Sequence, residues 1–182
     1  MSRHLIVGTL VLVAVAGCAS SGSQSPVTQR TVAVADGQVL QANEVRGSDR
    51  QFDAPATQVW TALQSAYKAL GIETSVNDPR LHRMGNTNFH ASGQFNGQPL
   101  SAYADCGSGP TGPRANNSRV YFSAITTITS LDATHTKLST DVQPVAVDLS
   151  GTTNARMDCG TTGELETELY DHVKLALGGG GI

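Results

Sequence analysis

Histidines at positions 4, 82, 90, 135 and 172 are the side chains best suited to hold a metal or carry a proton near neutral pH. Their spacing supports neither task. His82 and His90 stand eight residues apart with no carboxylate four residues on, His135 falls in a turn, and no HExxH pattern occurs. They read as isolated surface or rim histidines, and no metal is expected. Serine and threonine are abundant, yet none stands in GxSxG or SxxK. The stretch Gly107-Ser108-Gly109 has the glycines of a phosphate loop without the GK[ST] ending or a helix behind it, so it reads as an ordinary loop. Glu164 and Glu168 form an i, i+4 carboxylate pair. They fall in the first turns of a helix, on an exposed face where the dipole favours acidic residues, whereas catalytic pairs need burial. Arg114 and Arg119 flank the long loop and are candidates to receive an anionic group, against solvated loop charges as the simpler reading. No catalytic residue and no cofactor is expected, and the chain reads as a non-enzyme.

Residues 1–18, MSRHLIVGTLVLVAVAGC, carry chemistry of another kind. Arg3 gives a positive start, residues 5–16 form an apolar run, and Val15-Ala16-Gly17 narrows to small side chains before Cys18. This is the layout of a secretory signal, shorter than the roughly 20 apolar residues of a membrane span. The Val-Ala-Gly-Cys ending resembles the lipobox of bacterial lipoproteins. That resemblance implies cleavage before Cys18, a diacylglyceryl thioether on its sulfur and acylation of the new amino terminus. Cys18 is thus the expected lipid attachment site, residues 1–17 the signal peptide, and the membrane, through this N-terminal anchor, the first expected partner. Each buried methylene contributes about 0.8 kcal/mol, so two or three acyl chains would hold the protein permanently. Ala19, rather than Asp, follows the cysteine. By the same resemblance this implies a bacterial cell envelope location at the outer membrane, facing the periplasm. A bacterial source leaves the glycosylation pattern Asn116-Asn117-Ser118 without meaning.

With Cys18 assigned to lipid, Cys106 and Cys159 remain as an even pair in a chain exported to an oxidising compartment. A disulfide is the economical reading, and two buried free thiols are the alternative. A zinc site is disfavoured because neither cysteine has a CxxC partner or a nearby histidine. The link would close a loop worth about 4 kcal/mol of chain entropy. Loss of Arg3 from the 12 basic residues would leave 11 against 15 acidic ones, scattered without a basic run. That excludes a nucleic-acid surface or a polybasic lipid-binding patch. The length suits one domain and a tether.

The elements follow from period and punctuation. Residues 18–29 are Ser, Gly, Gln, Thr and Pro with little to bury, a flexible tether. Asp36-Gly37 between Thr31-Val-Ala-Val-Ala and Gln38-Val-Leu-Gln marks a hairpin. Residues 51–53 read as a short strand. Residues 54–70 are the clearest helix, capped at Asp53 or Ala54 with Pro55 in the first turn. Val59, Leu63, Ala66 and Leu70 form its stripe, and Gly71 ends it. Trp60, the one tryptophan, is expected in the core, with the lining of a groove between helix and sheet as its alternative role. Ile72, Thr74 and Val76 alternate as a strand before a turn at 77–79. Residues 85–95 and 98–105 flank the hairpin signal Asn96-Gly97, with Leu100, Ala102 and Ala104 on one face. Residues 120–131 and 137–149 are long strands, with a bulge or an edge expected at Pro144. Residues 164–177 form a second helix, opened by a Thr161–Glu164 capping box and closed by Gly178. Residues 30–178 are then a single α+β domain, and residues 179–182 a disordered tail.

Strands segregated from flanking helices predict an antiparallel sheet of about five to seven strands packed against two helices. The run Phe52-Asp-Ala-Pro-Ala-Thr-Gln-Val-Trp-Thr-Ala-Leu resembles the start of helix-grip domains, in which a strand ends in Ala-Pro before a Val-Trp-x-x-Leu helix. Such segments occur in BamC-like envelope lipoproteins and in START-like ligand-binding domains. One helix after the first strand is the BamC-like arrangement, although this chain carries one such unit where those lipoproteins carry two. Tyr103-Ala-Asp-Cys-Gly-x-Gly-x-Thr-Gly-Pro and Cys159-Gly-Thr-Thr-Gly-Glu-Leu-Glu resemble motifs of uncharacterised bacterial lipoproteins. The expected function is a membrane-anchored, non-enzymatic interaction module with an envelope protein as partner. The alternative is a carrier of a small hydrophobic ligand or lipid, using a groove between helix and sheet.

Overall fold

Two runs of alternating burial build the centre of the molecule. Within residues 118–130, Val120, Phe122, Ala124, Thr126 and Ile128 are buried, and within 136–148 so are Leu138, Thr140, Val142 and Ala146. Alternate side chains of a strand point to opposite faces, so one face meets a core and the other meets solvent. The computed structural model describes residues 28–33, 39–44, 48–149 and 156–178. In chain order the elements begin with β1 (Thr28–Ala33), β2 (Val39–Glu44), β3 (Ser48–Phe52), α1 (Ala56–Ala69), β4 (Val76–Asp78) and β5 (Arg83–Ser92). Short pieces follow: β6 (Gln94–Phe95), β7 (Gln98–Pro99), β8 (Ala104–Asp105), β9 (Ser108–Gly109) and β10 (Gly112–Pro113). The chain continues with β11 (Ser118–Ser130), β12 (Thr136–Asp148), β13 (Arg156–Asp158), β14 (Gly160–Thr161) and α2 (Glu164–Gly178).

The main sheet is antiparallel in the order β13-β12-β11-β5-β6-β7, with β3 beside β12 and β4 beside β5. Helix α1 faces it with Val59, Ala62, Leu63, Ala66 and Tyr67, and α2 with Leu165, Glu166, Leu169, Tyr170 and Val173. The fold is α+β, as the order of elements predicts. A line of hydroxyls crosses this core. Tyr67 Oη lies 2.9 Å from Thr126 Oγ1, which lies 2.9 Å from Thr140 Oγ1, and the Thr140 N–H donates to Tyr170 Oη at 3.1 Å. Tyr170 Oη donates to the carbonyl of Ser48. Burial pushes the phenol of Tyr67 well above its ordinary range and raises that of Tyr170.

Several expected boundaries move, each for a local reason. Pro55 itself caps α1, in place of Asp53 or Ala54. Its carbonyl accepts from the N–H groups of Gln58 and Val59, and no side chain contributes. The helix ends as expected. Gly71 has φ +67°, its N–H donates to Lys68 O, and that of Ile72 donates to Tyr67 O, a complete Schellman motif. Residues 72–75 form no strand, and β4 begins only at Val76, taking in Asn77 and Asp78. Their polar groups instead serve a bulge where β5 gains a residue against β11 between Phe122 and Ala124. The Thr87 N–H donates to Ser75 Oγ, and the Asn86 amide donates to Glu73 O.

The Asn96-Gly97 turn is real, pairing Phe95 with Gln98, with φ +47° and +77°. Its second strand stops at Pro99, however, and residues 100–102 coil into a 3-10 turn, so Leu100, Ala102 and Ala104 share no strand face. Leu100 N–H donates back to Gly93 O, and Ser101 N–H donates to Asn116 Oδ1. Pro144 lies on a local edge, because β3 pairs with residues 136–140 of β12 and β13 with 145–147. The carbonyl of Pro144 faces that side and accepts from Cys159 N–H. The first hairpin exists as β1–β2, from Thr28 opposite Glu44 to Ala33 opposite Val39. Strand therefore replaces the last two residues of the expected tether. The Asp36-Gly37 turn, the signal peptide, Cys18 and the tail at 179–182 lie outside the described residues.

Candidate functional site

Val59, Leu63 and Ala66 aim α1 at the core, and Trp60, one residue round the helix, is left half-buried on its rim. There it lines a recess of about 290 Å³ together with Ala56, Thr57, Pro79, His82 and Ile128. The wall opposite α1 is the turn at 79–82. Asp78 Oδ1 builds it by accepting the N–H groups of Arg80 and Leu81 at 2.9 and 3.1 Å. The carbonyl of His82 then accepts from Ile128 N–H at 2.9 Å, tying the turn to β11. His82 sits at φ +52°, a left-handed conformation that costs about 1–2 kcal/mol for a residue with a Cβ. Strain of this sort persists where surrounding contacts over-determine it, and it clusters at sites that hold something.

Two exposed leucines lie close in sequence to lining residues. Leu81, beside His82, is 64% exposed, and Leu131, at the end of the neighbouring strand, is 49% exposed. Carboxylates stand near these elements in sequence. The Asp53 side chain, two residues before Pro55, is 91% exposed and its Oδ1 lies 3.8 Å from His135 Nε2. His135 Nδ1 lies 2.7 Å from Asp132 Oδ2. The backbone N–H of Thr134 and then the His135 ring hold the Asp132 carboxyl down at about 2. Asp78 caps the turn opposite, and His82 puts an imidazole in the lining itself. Such a site has no nucleophile paired with a base. It can desolvate one apolar group.

The interior, by contrast, is filled. Tyr67, Tyr103, Phe122, Leu63, Met84 and Leu100 are fully buried between helices and sheet. Recesses between helix and sheet remain at the edges of this core, one around Trp60 and one between Phe52, Gln58 and Tyr170, and Trp60 takes the alternative role rather than a core position.

The other singled-out residues are dispersed. Cys106 and Cys159 stand at bonding distance, with Sγ–Sγ 2.03 Å and Cα–Cα 4.5 Å, next to the β8–β14 ladder that leads into α2. His90 packs its ring on Tyr121 at 5.4 Å. His172 is half-buried on α2, and among the described residues no cluster of His, Cys, Asp and Glu could hold a metal. Arg114 Nη1 points to Met157 Sδ at 3.6 Å, and Arg119 is exposed, so the two frame no anion site. Gly107-Ser108-Gly109 opens a miniature β9–β10 hairpin instead of a helix.

Of the expected exposed pair on α2, Glu164 is exposed but Glu168 is not. Glu168 is half-buried, accepting from Tyr103 Oη at 2.8 Å and from the Asn96 amide at 3.4 Å. Burial first, and then Glu168, pushes the Tyr103 phenol upward. Glu166 is 0% exposed, and Thr161 Oγ1, 3.1 Å from both its oxygens, is a hydroxyl donor to it. The same Thr161 oxygen accepts from Gly163 N–H, so the predicted Thr161–Glu164 box is replaced by a buried Thr161–Glu166 contact. Spacing rules missed Glu166, Pro79, Leu81 and Ile128. The one available signal was a leucine in an otherwise polar turn.

Comparison with family models, curated proteins and solved structures finds no match to this chain. What the site does rests on its own geometry.

Burial, and to a lesser extent repulsion from Asp141, raises the Glu166 carboxyl above its ordinary range against the opposing hydrogen bonds. Its contribution to stability is complete below the unfolded value of about 4.5 and is lost as pH rises through the folded value. Glu166→Gln should therefore gain on the parent between pH 5 and 8, by about 1 kcal/mol or more at the upper end, with little difference at pH 4. Urea midpoints of both proteins across that range check this; parallel curves would show that Glu166 does not titrate with folding.

Proposed function

We propose that this chain is a membrane-anchored envelope lipoprotein that acts as a non-enzymatic interaction module, with the Trp60 recess as its point of contact. The observation that carries the reading is an open, largely apolar recess lined by Ala56, Trp60, Pro79 and Ile128 on a domain with a close-packed core. Exposed apolar surface around a concavity is what binding sites present. Among the described residues no helix is long and apolar enough to cross a membrane. The lipobox resemblance at residues 15–18 is what assigns attachment to Cys18.

Cys18→Ser should abolish acylation and release the protein from the membrane fraction, or leave it unprocessed. Fractionation with mass spectrometry of the amino terminus reads the result, and unchanged anchoring would remove the lipoprotein reading. Cross-linking in native membranes, with wild type against Thr57→Arg, tests the recess. Thr57 lies exposed on the rim, so a partner that persists in the variant docks elsewhere.

A small-ligand reading is favoured by one observation, the recess volume. At about 290 Å³ it stands at the lower edge of ligand pockets, which run from about 300 Å³. That is room for one ring and too little for lipid tails.

A further inference from the structure

We infer that Asn96 is a site of spontaneous deamidation, and that the carboxylate it gains opposes Glu168 and loosens the β6–β7 hairpin from α2. Asn96-Gly97 is the one Asn-Gly pair of the chain, and both residues are exposed. Residue 97 has no side chain to shield its nitrogen. Asn96 stands at φ +47°, where a Cβ costs energy that local opening of the turn relieves. The step balances with water alone. Base takes the Gly97 amide proton, the nitrogen attacks Asn96 Cγ, the N–Cγ bond forms and the Cγ–Nδ2 bond breaks. Nδ2 leaves as ammonia with a proton from solvent. Water then opens the cyclic imide at Cγ, which gives aspartate, or at the main-chain carbonyl, which gives isoaspartate. Nothing is oxidised or reduced.

The neighbours decide what the change does. Asn96 Nδ2 donates to Glu168 Oε2 at 3.4 Å, and Glu168 Oε1 accepts from Tyr103 Oη at 2.8 Å. Deamidation removes the donor and sets a second carboxylate in its place. Phe95, the residue before, meets the buried Tyr103 ring edge-on with centroids 5.4 Å apart, so a displaced turn takes that contact with it. Isoaspartate adds a methylene to the main chain between Phe95 and Gln98, which pair across the turn and cannot then keep their register. None of this depends on what the Trp60 recess holds.

The full chain in dodecyl maltoside would be kept warm at mildly alkaline pH and sampled by peptide mapping until a urea-unfolded aliquot has converted. The expected result is aspartate and isoaspartate at residue 96 of the folded chain, with Gly97→Ala slowing both. A folded chain that keeps Asn96 intact, or an equal rate in Gly97→Ala, would overturn the site. Asn96→Asp reads the consequence. In the parent it should raise the unfolding constant about fivefold, the effect of a lost hydrogen bond and one like-charge pair. In a Glu168→Gln background it should change little, because the glutamine amide donates to the new carboxylate while its oxygen still accepts from Tyr103. Should Glu168→Gln fail to fold, salt decides, since about 1 M salt should shrink the parent's penalty. No penalty, equal penalties in the two backgrounds, or a penalty indifferent to salt would overturn the part given to Glu168.

Discussion

Removing the Cys106–Cys159 link by the double change to alanine should lower stability by about 4 kcal/mol, roughly 10 °C in melting temperature. The figure follows from a sequence separation of 53, which fixes the entropy the bond removes from the unfolded chain. Its position makes the loss concrete. Cys106 follows β8 and Cys159 precedes β14, a ladder of two residue pairs that could not hold alone. This ladder delivers the chain into α2, where Thr162 Oγ1 donates to Ala102 O and Thr161 meets Glu166. Thermal melts with and without dithiothreitol should reproduce the difference in wild type and show none in the variant. A reductant-insensitive wild type would refute the link.

Gly85→Ala should cost about 3 kcal/mol, more than almost any other single methyl added to this fold. A Cβ at residue 85 would lie 2.0 Å from the carbonyl oxygen of Ala124 and 2.9 Å from Ile125 Cα. Both are backbone atoms of the central strand β11, so no side chain can swing away. The contact arises because β5 bulges between its pairings with Phe122 and Ala124, which presses Gly85 onto its neighbour. Gly71→Ala is the control. It meets nothing within 4 Å and should lose only about 1 kcal/mol, from its positive φ. Chemical denaturation of the two variants side by side separates steric closeness from backbone conformation; equal losses would mean that the bulge relaxes.

Long elements were readable because one period dominates them. Residues 118–130 and 136–148 alternate without a break, and Gly71 ends α1 by a rule that needs no tertiary information. The misreadings came where side chains far apart in sequence replace local signals. Residues 72–75 have strand periodicity, but Ser75 and Glu73 are engaged by Thr87 and Asn86 of the β5 bulge. Leu100 and Ala102 alternate like a strand, yet Pro99 has no donor to continue a ladder, Gly93 O claims the Leu100 N–H and Asn116 claims that of Ser101. Glu166 has the composition of an acidic first turn, but it lies four residues before Tyr170, on the face that α2 turns to the core, where Thr161 meets it. The recess was half visible: Trp60 stood out as a tryptophan beside the apolar stripe, while its opposite wall at 79–82 depends on a turn that Asp78 caps.

The hydroxyl line from Tyr67 through Thr126 and Thr140 to Tyr170 bears on uniqueness more than on strength. Oil-like contacts are forgiving of direction, and a helix resting on a purely greasy sheet can roll or slide by a turn at small penalty. Here each helix reaches a specific rung of a central strand with one phenol, and a shifted helix would orphan those groups in a dry interior. Tyr67→Phe combined with Thr126→Val and Thr140→Val removes all three side-chain hydroxyls together, leaving none of them orphaned. The triple variant should keep most of the melting temperature while broadening the side-chain NMR signals, the mark of a body that has kept its shape but lost its single seating.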